Sequence, residues 1–400
     1  MPLFWVCQFW HQKLYRYRRS KRRKSACGAL FRFSLLPSPY YLKGSAAGAS
    51  LKIASFLVGE GKTVGRKYII RPMMNLPEER NVRIAGVGSY LPRRVVSNGE
   101  LCERLATSDE WILSHTGISQ RHIAGNDESA STMGLEAARR ALADAGVSPE
   151  ELCMVIVTTS TADYASYPST AALIQGRLGA VNAGAFDLSA ACTGFAYGAA
   201  MGKYYCQAHG KPVLVVASEV NSRILDWSDR STCVLFGDGA GAVVLVPSSA
   251  PGMICEVLGA DGTRAMSLVR EAGLRSPEDL KTPPGFVRMD GRAVFQFAVR
   301  TMERVIRELL EKAGLTLDDV THVIPHQANE RILNAVARNM GISPDRFFHN
   351  IRNVANTASA SIPIALDEMH QAGMLHENDL ILTVAFGAGL VYGGSLLRWR

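Results

Sequence analysis

No run of apolar residues in this 400-residue chain is long enough to cross a bilayer, and no charged start with an apolar middle marks a secretory signal. Neither a membrane span nor an export leader is therefore expected. The eight cysteines form no Cys-x-x-Cys pair and no even framework, which excludes a disulfide scaffold and points to a reducing compartment. Acid is almost missing from residues 1–72, which hold 15 Lys or Arg and the single acid Glu60, a local excess of 15 − 1 = +14. The remainder has 29 basic and 35 acidic residues, or −6. The overall +8 thus belongs to the first segment and gives no reason to expect nucleic-acid binding.

That first segment, residues 1–79, is read as a basic, disordered extension outside the chemistry. Its cluster Arg16–Lys24 stands among the aromatics Phe4, Trp5, Phe9, Trp10, Tyr15 and Tyr17. Two readings stay open. It is an Arg-rich, acid-poor transit peptide, which would place the protein in a plastid, or residues 1–72 are sequence upstream of a start at Met73 or Met74. The aromatic content favours the second.

Two further features have little behind them. Gly237-Asp-Gly-Ala-Gly241 has its third glycine one position early for a dinucleotide fingerprint and precedes a strand, so a tight turn between core strands is expected. His322 and His326 are four apart, but Pro325 and the β-branched Val323-Ile324 make the segment a strand, where that spacing does not chelate; no metal is expected.

What is there centres on Cys192. It follows the strand-like run Ala185–Leu188 and opens Thr193–His209, a proline-free segment that reads as a helix. At a strand-to-helix turn, free N–H groups and the helix dipole favour an anion, which predicts a lowered thiol pKa and a thiolate available near neutral pH. An arbitrary cysteine is more often a buried structural one, but here Gly194, Gly198 and Gly202 line one helix face. Each costs about 1 kcal/mol in a helix interior, so the stripe predicts close approach of another backbone to a buried central helix. Downstream, Val323–Asn329 ends an apolar strand at His326, and Asn353–Pro363 sets Asn356 before a run of tiny side chains. An imidazole and a carboxamide are what a cysteine nucleophile and a developing oxyanion require. Taken singly, His326 reads equally as a strand-end surface histidine and Asn356 as a turn residue.

From residue 80 on, helical and strand patterns alternate. Strands are predicted at 82–87, 154–158, 185–188, 213–217 and 242–246, and helices at 132–145 (stopped by Gly146) and 169–178. The second half repeats the theme, with helices at 294–313, 329–339 and 362–372 and strands at 323–324 and 380–385. This is an α/β pattern with doubly covered strands.

Ala190-Ala-Cys-Thr-Gly-Phe195, His326-Gln-Ala-Asn329 and Asn356-Thr together resemble the β-ketoacyl-[acyl carrier protein] synthase III family of condensing enzymes. Thr107-Ser-Asp-Glu-Trp-Ile112, Trp227-Ser-Asp-Arg-Ser-Thr232, Phe236–Ala242 and Ala385-Phe-Gly-Ala-Gly389 extend the resemblance from about Val82 to the C-terminus. It implies a thiolase-like fold: two related α/β halves, 80–250 with Cys192 and 251–400 with His326 and Asn356, in a five-layer αβαβα arrangement. It implies an acyltransferase that condenses an acyl-CoA primer, acetyl-CoA in the simplest case, with malonyl-[acyl carrier protein] through an acyl-Cys192 intermediate, initiating fatty acid synthesis in the cytoplasm. No cofactor beyond the CoA thioester substrate is expected.

Residue by residue, the resemblance makes Cys192, His326 and Asn356 catalytic and puts the oxyanion hole at the N–H groups of Cys192 and Ala388. Trp111 and Arg230 would sandwich the adenine of CoA, Asn329 would contact pantetheine, and Phe386 would form an apolar wall that disfavours the malonyl carboxylate. Tyr167 would reach into a partner subunit's acyl pocket, implying a homodimer, and Arg331 would greet the acidic acyl carrier protein. Three departures stand out: His115 where many relatives carry an arginine, Gln296 in place of a basic residue, and Glu330 beside Arg331. Asn356 argues against elongating synthases and thiolases. Polyketide, quinolone or olefin starter synthesis remains the alternative activity.

Overall fold

The computed structural model describes residues 80–271 and 285–399; the reading of residues 1–79 falls outside them. The strands in chain order are β1 (Asn81–Tyr90), β2 (Arg94–Ser97), β3 (Gln120–Ile123), β4 (Met154–Thr158), β5 (Gly184–Leu188), β6 (Val213–Glu219), β7 (Gly239–Ser248), β8 (Met253–Ala260), β9 (Leu268–Arg270), β10 (Val287–Met289), β11 (His322–Pro325), β12 (Leu380–Gly387) and β13 (Val391–Arg398). A five-stranded sheet runs β1-β7-β6-β4-β5, antiparallel at β1/β7 and β7/β6 and parallel at β6/β4 and β4/β5. A four-stranded sheet runs β11-β12-β13-β8, parallel at β11/β12 and antiparallel beyond.

The two-residue period of the strands produces the layering. Val155, Val157, Leu214 and Val216 face outward onto the helix Ala130–Ala145. Their neighbours Ile156, Val213 and Val215 face inward onto the helices Gly194–His209 and Ser361–Gln371. Ile381 and Ala385 of β12 join that same inner cluster, so these two helices are shared between the sheets. Leu382, Val384 and Phe386 point the other way, onto the helices Gly291–Ala313 and Glu330–Met340. Five layers follow: helices, sheet, two central helices, sheet, helices.

Local chemistry sets the helix ends. Ser129 caps Ala130–Ala145 in a capping box with Thr132, and Gly146 closes it at φ +63°, where a side chain would be strained. The glycine stripe seats its helix on the first sheet through side chains, not backbone as the sequence suggested. A Cβ on Gly198 would lie 2.7 Å from Thr158 Cγ2, and one on Gly202 would lie 2.8 Å from Val215 Cγ2. Cys192 is thereby fixed at the end of an element that cannot shift without unpacking the core.

Candidate active site

After β5 the chain reverses within a few residues. Ala191 takes φ +46°, a costly conformation for a side-chain-bearing residue, and Ala191–Thr193 form a 3₁₀ turn ahead of the Gly194–His209 helix. Cys192 sits in that turn. Among the described residues four non-glycine positions have positive φ, and three of them flank Cys192 or Asn356: Ala191, Ala355 (φ +59°) and Ala358 (φ +48°). Strain is concentrated at the two loops that the sequence singles out.

His326 follows β11, anchored by its N–H to Val384 O at 2.8 Å. Its Nδ1 lies 2.7 Å from Ser361 Oγ and its ring meets Phe386 edge-on, centroids 5.6 Å apart. At 1% exposure the imidazole loses hydration, which pushes its pKa down to about 3 and keeps it neutral. Asn356 is held at both backbone ends: its N–H donates to Leu235 O and its carbonyl accepts from Gly237 N, each at 3.0 Å. Its Oδ1 accepts from Ala358 N at 2.8 Å. A peptide N–H can only donate, so the carboxamide is oriented with Nδ2 as its free donor end.

The segment at Gly237 does more than turn between strands. A run of turns precedes it, and a Cβ on Gly237 would lie 2.7 Å from Val354 O. Buried Asp238 accepts from Ala124 N and Ser222 N, each at 2.8 Å, so the motif is a brace behind Asn356.

Cys192, His326, Asn356, Phe386 and Gly387 line one cavity of about 210 Å³, and Trp111, His115, Arg230 and Asn329 belong to its lining with further, mostly apolar residues. Gly387 presses its backbone against Cys192; a Cβ there would fall 2.8 Å from Cys192 N. Ala388 occupies the turn just after it. Arg230 Cζ stands 4.9 Å from the Trp111 ring centroid and His115 stacks on that ring at 4.4 Å. Asn329 caps the Glu330–Met340 helix through Arg331 N and ties Nδ2 to His115 O at 3.0 Å. Tyr167, 83% exposed, and Arg331, exposed on the first turn of that helix, do not line the cavity. Gln296 is exposed, and the Glu330 side chain is laid against Gly117.

One expectation is corrected. The Cys192 thiol is not lowered toward neutrality: protein crowded around it, with the Glu219 carboxylate adding repulsion, pushes it up to about 12. Desolvation is the largest cause, and Cys192 sits in the 3₁₀ turn ahead of the α-helix that starts at Gly194. Two residues escaped the sequence reading. Ser361 lay within the quoted run of small residues, undistinguished from its neighbours. Glu219, 0% exposed, is an acid closing an otherwise apolar strand, a signal that was legible.

Among the described residues no helix is long and apolar enough to cross a membrane. The family described as 3-oxoacyl-[acyl-carrier-protein] synthase III matches residues 186–262, and its C-terminal counterpart matches residues 310–399. A β-ketoacyl-[acyl-carrier-protein] synthase III of Bordetella petrii is 47% identical over 321 residues, 79% of this chain and 97% of the relative. The crystal structure of 3-oxoacyl-[acyl-carrier-protein] synthase III from Aquifex aeolicus is 44% identical, covering 80% of this chain and 100% of its own, with a TM-score of 0.74. The priming β-ketosynthase of the R1128 polyketide pathway is 40% identical, covering 82% and 99%, with a TM-score of 0.78.

Proposed function

Because the chain belongs to the 3-oxoacyl-[acyl-carrier-protein] synthase III family and has its thiolase-like α/β fold, we propose that it is the acyltransferase that joins an acyl-CoA primer to malonyl-[acyl carrier protein], giving 3-oxoacyl-[acyl carrier protein], CoA and carbon dioxide. The observation that carries this is the convergence of Cys192, His326 and Asn356 on one cavity with an apolar wall at Phe386. The first sheet, at 80–250, and the second, at 251–400, are the two halves, and each contributes to the site.

With thiol and imidazole both neutral at rest, ionisation accompanies attack. As Cys192 Sγ bonds to the primer carbonyl, its proton passes to His326 Nε2 and then to departing CoA, leaving acyl-Cys192. The Ser361 hydroxyl can donate to Nδ1 or accept from it, so the same imidazole serves as base here and as N–H donor in the next half-reaction. The oxyanion of the first step sits on the N–H groups of Cys192 and Ala388.

Malonyl-[acyl carrier protein] then presents its thioester carbonyl to His326 Nε2–H and Asn356 Nδ2–H. As the carboxylate leaves as carbon dioxide, these two donors stabilise the enolate, each worth on the order of 3 kcal/mol. Phe386 offers the carboxylate no partner, which favours its conversion to a neutral gas. The enolate carbon attacks acyl-Cys192, the C–S bond breaks, and the sulfur regains a proton from solvent.

Trp111 and Arg230 bind the CoA adenine by stacking, with Asn329 against pantetheine. Arg331 meets the carrier protein, and the packing of Glu330 on Gly117 keeps that acid off the docking face. A homodimer fits β5, an edge strand with Phe186 39% and nearby Val181 74% exposed; exposed Tyr167 would then enter the second subunit's acyl pocket. CoA and carrier-protein substrates imply a cytoplasmic site of action. The likeness to the R1128 priming enzyme favours polyketide priming as the second reading. Radiolabelled acetyl-CoA tests the proposal: label should appear on the Cys192 peptide, and label on any other residue would refute it. A panel of straight and branched acyl-CoA primers then separates the two readings.

A further inference from the structure

Glu219 ends β6 fully buried, and no cation pairs with it among the described residues. Ser160 N and Thr161 Oγ1 donate to Oε2, each at 3.0 Å, and Ser359 Oγ donates to Oε1 at 2.6 Å. Three polar partners on a buried acid, supplied by two segments far apart in sequence, are more than packing requires.

Ser359 is the middle of the Ala358–Ala360 turn. On one side of it Ala358 N fixes Asn356 Oδ1; on the other Ser361 holds His326 Nδ1. Its Cβ also stands 3.0 Å from where a Cβ on Gly194 would be, at the start of the helix behind Cys192. One carboxyl group therefore reaches both donors and the nucleophile while touching none of the reacting atoms.

Ser359 Oγ lies 3.3 Å from Thr158 O as well. A hydroxyl has one proton. With Glu219 charged, that proton goes to Oε1; with Glu219 neutral, Oε1–H donates to Ser359 and the hydroxyl turns to Thr158 O. The turn is held in either state.

We propose that Glu219 is a positioning residue: through Ser359 it holds the turn that aims Asn356 and Ser361. This rests on the catalytic reading given above. His326, neutral, shares the cavity with Cys192, and the Glu219 charge adds to the burial that raises the thiol. Those facing Glu219 are Ser160, Thr161 and Ser359, with burial holding the carboxyl up to about 7.

The test compares wild type, Glu219→Gln, Glu219→Asp and Cys192→Ala as full-length chains, each checked for folding by thermal melting. Malonyl-carrier decarboxylation is followed, together with iodoacetamide labelling of Cys192 at pH 8. Glu219→Gln keeps the reach to Ser359 and should lose no more than about twofold in decarboxylation kcat. Glu219→Asp retracts from Ser359; decarboxylation kcat should fall roughly tenfold, with KM for acyl-CoA and Cys192 labelling unchanged. A Glu219→Asp enzyme that decarboxylates normally, or a Glu219→Gln enzyme that loses as much as Glu219→Asp, overturns the proposal. If Cys192→Ala is still acylated by labelled primer, the catalytic reading itself fails; an inert Cys192→Ala with a normally decarboxylating Glu219→Asp removes Glu219 alone.

Discussion

His326 Nδ1 and Ser361 Oγ lie 2.7 Å apart, so a hydroxyl, not a carboxylate, orients the imidazole. A carboxylate would stabilise the imidazolium; a hydroxyl leaves the ring neutral and able to change tautomer. Replacing Ser361 with Ala should cost about tenfold in malonyl decarboxylation, roughly 1.4 kcal/mol, and less in primer transfer. Separate assays of exchange between CoA thioesters and of carbon dioxide release would show it. Equal losses in both would argue against the two-tautomer role.

Asn356→Asp changes one atom at a site where the orientation is already set. Ala358 N would still bind one oxygen, leaving the other, charged, where the enolate oxygen must sit. Decarboxylation should drop by about 10²–10³, while acylation of Cys192 continues. Intact-mass measurement of the acyl-enzyme reads the second quantity directly.

Gly387→Ala would push a methyl group to within 2.8 Å of Cys192 N. Primer transfer should fall at least tenfold, with a stability loss of about 1–3 kcal/mol from overpacking. A urea melt and a transacylation assay settle both, and a fully active, equally stable variant would mean the two backbones are not in contact.

Trp111→Ala or Arg230→Ala should raise KM for acyl-CoA about fivefold, the worth of one exposed cation–π stack, and leave kcat nearly unchanged. A fall in kcat alone would assign these residues to chemistry in place of binding.

His326 is neutral when folded and has an ordinary pKa of about 6.5 when unfolded, so the unfolded chain takes up the extra proton as pH falls. Stability on its account is complete above pH 6.5 and declines toward about pH 3. Glu219 acts in the opposite sense: its raised carboxyl favours the fold below about 4.5, and that advantage is lost as pH rises through about 7. His326→Gln should therefore flatten the acid limb of a urea-midpoint-versus-pH curve, and Glu219→Gln the limb between pH 4.5 and 7.

Most of the first sheet and its helices could be read from apolar period and caps. β8 and β13 could not. Gly393-Gly394 sits inside β13, where glycine usually signals a break; a Cβ on Gly394 would lie 2.3 Å from Thr383 O, so the pair is there for closeness. Cys192, His326 and Asn356, singled out through motifs that resemble the family's, do line one cavity. The thiol's protonation state was not legible, since helix dipoles can be read from order along the chain while desolvation depends on what folds back over it. Ser361 and Glu219 find their partners His326 and Ser359 across long sequence separations; the acid at the end of β6 was visible locally, but its partner was not.

Cys192 follows a strand of one sheet and His326 a strand of the other. A polypeptide emerging during synthesis that has folded only through Ser248 owns a sulfur but lacks the groups that would put it to use. On the proposed mechanism, thioesters would thus be safe from an immature molecule, and reactivity would switch on only when assembly of the full sandwich brings Cys192 and His326 face to face.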